Sequence, residues 1–403
     1  MRIGIIIEKY PLPPTKGGAI QTLVSHYLEE NEKTHIHDFF VYSCYDMDAE
    51  ACSKRYKYTK FYYVKTDSLK YNFSVIISYI CNHFFKMSIG NGFARTIGKM
   101  MSTQEFDQII VEGNPRLIQG LKKYNDCGYI LHLHNDYLNR DNPNSSKLIN
   151  SYNYIFTISG FLKKRIEEVE PEYKDVFTLN NGIDLSPFYT IDNRIIINRK
   201  KLYNIDNKKV TIIFSGRIVP EKGCLELINA FKGSDYLLNN ANLVIAGGVI
   251  YGENGKSDYL KRVQEAIKNI NSIIMTGYIP YQEMPCLYMM SDIGIIPTMC
   301  EEAFGLCAIE NMAAGNALIV SDSGALPDLL ENQSGEKCGI VVARDYNYVE
   351  NLKKSMEYLV NNEIARKKMG NLGKQMVENY SKQNYCSKFF ELLDMIKLTV
   401  SIG

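Results

Sequence analysis

Short apolar runs of strand length recur along the chain, and amphipathic stretches of helical length separate them. Two such runs, residues 292–297 and 317–320, flank a helical segment over residues 305–314 that ends at Gly315, a residue type that often closes helices. A strand, a helix and a second strand in this order predict a βαβ unit, and therefore a parallel sheet. Further strands are predicted over residues 2–7, 106–111, 129–134, 154–159 (the last clear strand of the first half), 210–215, 243–246 and 273–276. This alternation indicates an α/β fold.

Composition narrows the class of protein. The 403 residues are enough for two or more domains, and 45% of them are hydrophobic, as in an ordinary globular chain. The formal net charge of +1 gives no global field that would attract nucleic acid. No apolar run reaches the ~18 residues of a membrane-spanning helix, and the apolar run at the N-terminus is too short for a signal peptide. Ten cysteines without a Cys-x-x-Cys or Cys/His cluster predict a reducing, cytoplasmic location and no structural zinc site.

Acidic residues surround the helix predicted over residues 305–314. Glu301 and Glu302 lie in the turn before it, and Glu310 lies more than one turn inside it. The N-terminus of a helix binds anions through its free N–H groups and its dipole, whereas a carboxylate within such a helix suits the hydroxyl groups of a ribose. This unit is therefore predicted to bind a diphosphate and a ribose, with a second acid beside them.

Seven residues separate Glu302 from Glu310, among them Phe304, Gly305 and Leu306, and the sequence AAGNALIVSDSGALPDLL follows. This pattern resembles the Glu-x7-Glu signature of the family 4 retaining glycosyltransferases. The resemblance implies an α/β fold of the GT-B type. In that fold two Rossmann-like, doubly wound domains face a central cleft, and a C-terminal helix crosses back to the first domain.

The resemblance also implies a division of the chain into three parts. Residues 1–190 would form an acceptor-binding domain, residues 191–380 a nucleotide-sugar-binding domain, and residues 381–403 the returning helix. The resemblance is most specific in the second half of the chain.

The segment GRIVPEKG, residues 216–223, closely matches the Gly-Arg…Lys-Gly element of the same family. Arginine offers a planar fork and lysine a compact charge to phosphate oxygens. By this resemblance, Arg217 and Lys222 stabilise the charge of the departing diphosphate, and no metal ion is required. Tyr278 and Ile279 fall in the loop beside which the family binds the nucleotide base.

Two features of the first half match the family less specifically. Gly17 and Gly18 open the first helix, where paired glycines let the backbone approach a ligand, and the resemblance places them near the donor phosphates and the acceptor. His134 lies at the carboxyl end of a predicted strand and matches a histidine that lines the sugar pocket in the family. His132, on the same strand face, is predicted to be either a satisfied core histidine or one that supports the residues lining the pocket. The implied catalytic residues are His134, Glu302, Arg217 and Lys222, and the implied donor-binding residues are Gly17, Gly18, Arg217, Lys222, Tyr278, Ile279, Glu302, Phe304, Gly305, Leu306 and Glu310.

A basic and aromatic segment, residues 54–70, precedes an amphipathic one that reaches residue 87. Residues 54–87 together fit a helix lying on an anionic membrane surface. They fit equally a solvated loop followed by a core helix. Stacking on single-stranded nucleic acid would use similar residues, but the nearly neutral chain argues against a nucleic-acid partner.

The resemblance predicts a retaining, metal-independent hexosyltransferase without a cofactor. It would move a hexose or N-acetylhexosamine from a nucleotide diphosphate sugar, with UDP as the favoured nucleotide, to a glycan or lipid-linked acceptor. The expected setting is bacterial surface polysaccharide synthesis, such as capsule or lipopolysaccharide, at the inner face of the membrane. A GDP-mannose-dependent transferase of the same fold and a sugar-nucleotide epimerase or binding protein are the alternatives. A retaining glycosidase with paired carboxylates would have no use for Arg217 and Lys222.

Overall fold

The computed structural model of this chain describes residues 1–15, 18–66, 92–249 and 257–402. Within these ranges the protein forms two compact units. The first comprises Met1–Asn181 and Tyr385–Gly403, and the second comprises Gly182–Asn384. Each unit is built on one sheet whose paired strands all run parallel, as the βαβ pattern predicts.

The first unit contains a seven-stranded sheet in the order β3-β2-β1-β4-β5-β6-β7. Its strands are β1 (Arg2–Ile7), β2 (Asp38–Cys44), β3 (Thr59–Val64), β4 (Gln108–Glu112), β5 (Gly128–Leu133), β6 (Tyr154–Thr157) and β7 (Val176–Thr178). The neighbours β1 and β4 are followed by strands that lie toward opposite edges of the sheet. Their carboxyl ends therefore form a topological switch point, the position at which open α/β sheets bind ligands.

Helices connect these strands. In the described part of the first unit they are α1 (Ala19–Thr34), α2 (Met47–Ser53), α3 (Gly92–Met101), α4 (Ile118–Leu121), α5 (Ser145–Ile149) and α6 (Gly160–Val169). Ser159 caps α6 by accepting a hydrogen bond from the N–H of Leu162 at 3.2 Å, as its position before a helical stretch predicts. The branched residues of β1, including Ile3 and Ile5, are fully buried in a core that Tyr27 of α1 also joins.

The second unit contains a six-stranded sheet in the order β10-β9-β8-β11-β12-β13. Its strands are β8 (Val210–Ser215), β9 (Ala241–Ala246), β10 (Ile273–Gly277), β11 (Ile293–Ile296), β12 (Ala317–Ser321) and β13 (Gly339–Val342). Here β8 and β11 are the neighbours whose following strands lie toward opposite edges. The switch point of this sheet is therefore at the carboxyl ends of β8 and β11.

The remaining helices follow in chain order. They are α7 (Ser186–Thr190), α8 (Asn193–Leu202), α9 (Cys224–Lys232), α10 (Asp235–Asn240), α11 (Asp258–Ala266), α12 (Met284–Met289), α13 (Leu306–Ala314), α14 (Leu326–Leu329), α15 (Tyr348–Asn361), α16 (Glu363–Met376) and α17 (Lys382–Ile402). The helix predicted over residues 305–314 is α13. Gly305 precedes it with φ 109° and Gly315 ends it with φ 81°, so both ends use the left-handed conformation that glycine tolerates.

The C-terminal helix α17 begins in the second unit, and its residues from Tyr385 onward belong to the first. The ring of Phe389 stacks on that of Tyr27, with centroids 3.9 Å apart and planes 10° apart. Phe389, Leu393 and Ile396 are fully buried. The predicted fold, with two Rossmann-like sheets and a C-terminal helix that returns to the first unit, is confirmed.

The first unit differs from expectation in the basic and aromatic segment. Thr59–Val64 is the edge strand β3, paired in parallel with β2, so a solvated loop is wrong for this stretch. Tyr62 stacks on Tyr42 at 4.9 Å between centroids, and Tyr56 is buried. Lysines interrupt the aromatic residues of this strand, so the sequence pattern did not indicate it. The aromatic residues pack within the unit. Residues 67–87 of the predicted membrane-contacting segment lie outside the described residues.

A second difference is β7. Residues 154–159 were expected to contain the last strand of the first half, yet Val176–Thr178 adds another beside β6. Three residues are too few for a hydrophobic pattern to indicate a strand. No helix within the described ranges combines the length and the apolar character needed to cross a bilayer.

Candidate active site

The second unit gathers several of the predicted donor-site residues at its switch point. Arg217 lies exposed in the turn after β8, and the loop after β11 carries Glu302. Because β8 and β11 are adjacent, these two loops leave the same edge of the sheet side by side. The sequence prediction that charged residues of both loops serve one site is therefore compatible with the topology of this unit.

Lys222 and Glu302 form an ion pair at this edge. Nζ of Lys222 lies 2.5 Å from Oε2 of Glu302, and the two side chains are 24% and 21% exposed. Burial lowers the pKa of Lys222, but the Glu302 carboxylate outweighs burial and leaves that pKa raised, so the ammonium group is charged at neutral pH. The pair thus presents one cation and one anion, both partly open to solvent.

The main chain holds the two loops together. Gly223 follows Lys222 with φ 68°, and a Cβ atom there would collide with the carbonyl oxygen of Pro297 in the loop after β11. The carbonyl oxygen of Glu221 accepts a hydrogen bond from the N–H of Met299 at 2.8 Å. The close approach that glycine allows at residue 223 is therefore what brings Lys222 within reach of Glu302.

Arg344 fixes the loop that carries Glu302 from its other side. Its Nη2 lies 2.6 Å from Oε1 of Glu301, and its guanidinium also donates to the carbonyl oxygens of Asp322 and Met299. One arginine thus connects three points of the loops after β11 and β12. Arg344 was not predicted from the sequence, because it is 43 residues from Glu301 and belongs to no motif.

Glu310 lies inside α13 and is only 6% exposed. The hydroxyl group of Tyr288 donates to its Oε2 at 2.7 Å, and Tyr281 donates to the same carboxylate. Burial raises the pKa of Glu310 to about 7, although both hydrogen bonds favour the charged form. A carboxylate has about four acceptor positions, so two tyrosines leave room for two further hydroxyl groups. Neither tyrosine was identified from sequence, since a tyrosine just before or within a helix carries no distinctive signal.

The start of α13 lies between these two acids. Gly305 has a positive φ, and a Cβ atom there would meet the side chain of Leu326. Leu306 is the first residue of the helix, where main-chain N–H groups lack partners within the helix. The predicted anion-binding end of this helix is therefore adjacent in sequence to Glu302.

Three other predicted donor residues occupy different surroundings. Tyr278 is exposed and Ile279 is half-buried, directly after β10 at the edge of the sheet. The side chain of Phe304 is buried, with its ring centroid 5.9 Å from that of Tyr380. Phe304 therefore stabilises the loop through packing, and only its main-chain groups could contact a ligand.

In the first unit, His134 lies with Glu112 and His132 at the carboxyl ends of β4 and β5. Nε2 of His134 is 2.8 Å and Nδ1 of His132 is 3.0 Å from the same oxygen, Oε2 of Glu112. The hydroxyl group of Tyr27 donates to the other oxygen at 3.0 Å. Glu112 was not predicted from the sequence, although an acid that ends an apolar strand beside a His-x-His strand is a recognisable signal.

Burial and charge determine the ionisation of this cluster. Burial opposes the charge of Glu112, yet the two histidines hold the pKa of its carboxyl group well below the usual range. Burial lowers the pKa of His134 to about 4, with a further decrease from His132 and an opposing contribution from Glu112. At neutral pH the cluster therefore contains an ionised glutamate and an uncharged His134.

The same cluster has the composition of a metal site. Oε2 of Glu112 and one ring nitrogen each of His132 and His134 lie within 4.8 Å of one another. The β4–β5 register creates this cluster, because it sets Glu112 directly beside His132. The contact of His134 with Glu112 is a hydrogen bond, whereas both ring nitrogens of His132 are buried without a hydrogen-bond partner among the described residues.

Gly18 precedes α1 with φ 135°, and a Cβ atom there would collide with the side chain of Gln21. Its carbonyl oxygen accepts from the N–H and from the hydroxyl group of Thr22, each at 3.0 Å. The turn therefore depends on glycine at this position. Gly17 lies outside the described residues.

A family model described as "Glycosyl transferases group 1" matches residues 196–376. This range contains Arg217, Lys222, Glu302 and Glu310. The chain is similar to the lipopolysaccharide 1,2-N-acetylglucosaminetransferase of Salmonella typhimurium, with 28% identity over 296 residues that cover 72% of this chain and 73% of that protein. It is also similar to the putative glycosyltransferase YtcC of Bacillus subtilis, with 26% identity over 384 residues that cover 93% and 86% of the two chains.

A solved structure with a similar fold is that of Anabaena HepE in complex with UDP-glucose. It matches this chain with a TM-score of 0.75 and 13% identity, over 98% of this chain and 100% of the other. At this level of identity the likeness concerns the fold, and it extends over both units.

Proposed function

We propose that this chain is a group 1 glycosyl transferase, the family whose model matches residues 196–376, and that it moves a hexose or an N-acetylhexosamine from a UDP-sugar to a hydroxyl group of a glycan or lipid-linked acceptor. The observation that carries the proposal is the Lys222–Glu302 pair at the β8–β11 switch point, with Glu310 inside the helix that follows. A nucleotide diphosphate sugar has the complementary groups. Its phosphates suit Lys222 and Arg217, and its ribose hydroxyl groups suit Glu310.

Two similar proteins support the proposed classes of donor and product. The Salmonella relative is named for the transfer of N-acetylglucosamine in lipopolysaccharide, and Anabaena HepE was crystallised with UDP-glucose. We therefore assign this chain to bacterial surface polysaccharide synthesis, in the cytoplasm at the inner face of the membrane. We assign acceptor binding to residues 1–190, donor binding to residues 191–380 and the returning helix to residues 381–403.

The proposed mechanism follows from the charges of the donor site. As the bond between sugar and phosphate breaks, negative charge grows on the diphosphate and positive charge on the sugar ring. Lys222 and Arg217 stabilise the diphosphate, while Glu302 faces the growing positive charge, so no metal ion is required. The acceptor hydroxyl group attacks from the face that the phosphate leaves, and the departing phosphate takes its proton. The sugar therefore keeps its anomeric configuration.

A panel of sugar nucleotides tests the proposal directly. We expect slow release of UDP from UDP-glucose or UDP-N-acetylglucosamine when no acceptor is present, because water can replace the acceptor hydroxyl group. NMR should show that the released sugar first appears as the α anomer. Release from GDP-mannose alone would favour the GDP-dependent alternative, and conversion of the sugar without cleavage would indicate an epimerase.

A contact with an anionic membrane surface is the proposed role of residues 54–87. In the described part of this segment, Lys54, Arg55, Lys57, Lys60 and Lys65 are exposed. We expect anionic liposomes to sediment the protein at low salt and to release it at high salt, since surface charges are screened. Exchanging Lys57, Lys60 and Lys65 for glutamine should weaken this binding, whereas the matched exchange of Lys261, Lys268 and Lys354 in the second unit should not. Equal binding to neutral and anionic vesicles would contradict the contact.

A further inference from the structure

Glu112 is a buried acid that the proposed function has not used. It ends β4 and its side chain is fully buried, so it cannot itself contact a ligand, whereas the side chain of His134 is 4% exposed. Its Oε2 lies 2.8 Å from Nε2 of His134, and its Oε1 accepts from the hydroxyl group of Tyr27 at 3.0 Å. Any effect of Glu112 on the reaction must therefore act through these partners.

The carboxylate of Glu112 is held in place on every side. Tyr27, which contacts its Oε1, is fully buried and stacks on Phe389 of α17. Nδ1 of His132 approaches Oε2 at 3.0 Å, and the strand register sets His132 directly opposite Glu112. These contacts fix the position of the Glu112 carboxylate. A hydrogen bond to this carboxylate therefore fixes the orientation of the His134 ring.

The carboxylate also determines where His134 carries its proton. An ionised carboxylate only accepts hydrogen bonds, so the ring nitrogen that faces it is the protonated one. A neutral imidazole has one N–H group, and in His134 this is Nε2–H. The lone pair is then on Nδ1, which accepts a hydrogen bond from a hydroxyl group and repels a phosphate oxygen.

We infer that Glu112 is a positioning residue, which fixes the tautomer and orientation of His134 so that Nδ1 accepts a hydrogen bond from a hydroxyl group of the substrate sugar. Buried carboxylates have the same effect on imidazole groups elsewhere, where the hydrogen bond at one ring nitrogen sets the role of the other. The choice of substrate rests on the proposed function, whereas the tautomer does not.

The first experiment observes the tautomer without any substrate. Long-range ¹H–¹⁵N correlation spectra of protein labelled in histidine should show His134 as the Nε2–H form at neutral pH. Glu112→Gln should abolish this exclusive preference, because its amide can also donate to the ring. Tyr27→Phe serves as the matched control, since it removes a partner of the opposite oxygen and should leave the tautomer unchanged. An Nδ1–H form or an imidazolium in the unmodified protein would overturn the inference.

The second experiment measures transfer of the sugar. Glu112→Gln should lower kcat/KM for the UDP-sugar by about two- to tenfold, the range for losing one hydrogen bond between uncharged groups. Binding of free UDP should not change, because UDP lacks the sugar. Combining Glu112→Gln with His134→Ala should be no worse than His134→Ala alone. Independent, multiplicative losses would show that Glu112 has only a structural role.

Two further outcomes keep the inference separate from the proposed function. A divalent cation bound stoichiometrically to the purified protein and lost in Glu112→Gln would overturn the inference, because the nitrogens would then face a metal. Absence of cleavage of every sugar nucleotide would contradict the proposed function, yet the spectra would still decide the tautomer. Glu112→Asp, which keeps the charge, should retain more of the Nε2–H form than Glu112→Gln.

Discussion

Replacing Lys222 with alanine should lower the rate of sugar transfer by about 10²–10³-fold, the usual cost of removing one preorganised group that stabilises developing charge. The ammonium group is at hydrogen-bond distance from Glu302, so it is already desolvated on one side and fixed in position. A bound diphosphate would compete with that carboxylate for the same cation as its own charge grows. The interaction is therefore strongest in the transition state, and the loss should appear in kcat. Single-turnover measurement with a UDP-sugar checks it.

Arg217→Ala should behave like Lys222→Ala, since both cations are assigned to the diphosphate. Lys261→Ala is the matched control, because Lys261 lies in the same unit and its side chain is 71% exposed. Treatment with EDTA should have little effect on the unmodified enzyme. Full turnover in Lys222→Ala, or a strict requirement for added Mn²⁺ or Mg²⁺, would contradict this assignment of roles.

Local chemistry explains which parts of the fold could be predicted from sequence. The bounds of α13 follow from Gly305 and Gly315, whose positive φ angles are a property of single residues. The central strands of both sheets are short apolar runs because helices cover both faces of a parallel sheet. β3 was missed since lysines interrupt its aromatic residues, and an edge strand tolerates such exposure.

The contacts within the site were much harder to predict from the sequence, because they join residues that are distant along the chain. Lys222 and Glu302 were each identified, but their pairing across 80 residues follows from the adjacency of β8 and β11. His134 was identified and Glu112 was not, since only the β4–β5 register brings them together. A motif thus predicts candidate ligand-facing residues, whereas the order of the strands determines which distant residues contact them.

The second large effect concerns Glu310. Glu310→Gln should weaken UDP binding by roughly ten- to a hundredfold, because hydrogen bonds to a charged group contribute about 1.5–3 kcal/mol. The substitution keeps the side-chain volume and leaves Tyr288 and Tyr281 with a carbonyl acceptor, so the fold should be retained. Calorimetry with UDP measures the loss. Tyr281→Phe removes one donor to Glu310 without touching its charge and should cause a smaller change.

The pH dependence of binding provides an independent test of Glu310. Its pKa is raised to about 7, so a large fraction is protonated just below neutrality and has one acceptor oxygen fewer. Ribose hydroxyl groups favour the ionised form, hence affinity should rise as the pH increases from about 6 to 8 and then level off. An intact UDP-sugar should be used, because the terminal phosphate of free UDP titrates in the same range. Glu310→Gln should remove this dependence.

Glu302→Gln should lower turnover without weakening UDP binding, in contrast to Glu310→Gln, which should weaken UDP binding. Its carboxylate holds Lys222, so neutralising it frees that cation for the diphosphate, and UDP should bind equally well or more tightly. Turnover of the intact UDP-sugar should nevertheless fall by about 10²–10³-fold, because the carboxylate acts when positive charge develops on the sugar. The two variants therefore separate binding from transfer at one site. Equal losses of UDP affinity would show that the two roles are misassigned, and full activity in both variants would remove the basis for a transferase site at this edge of the sheet.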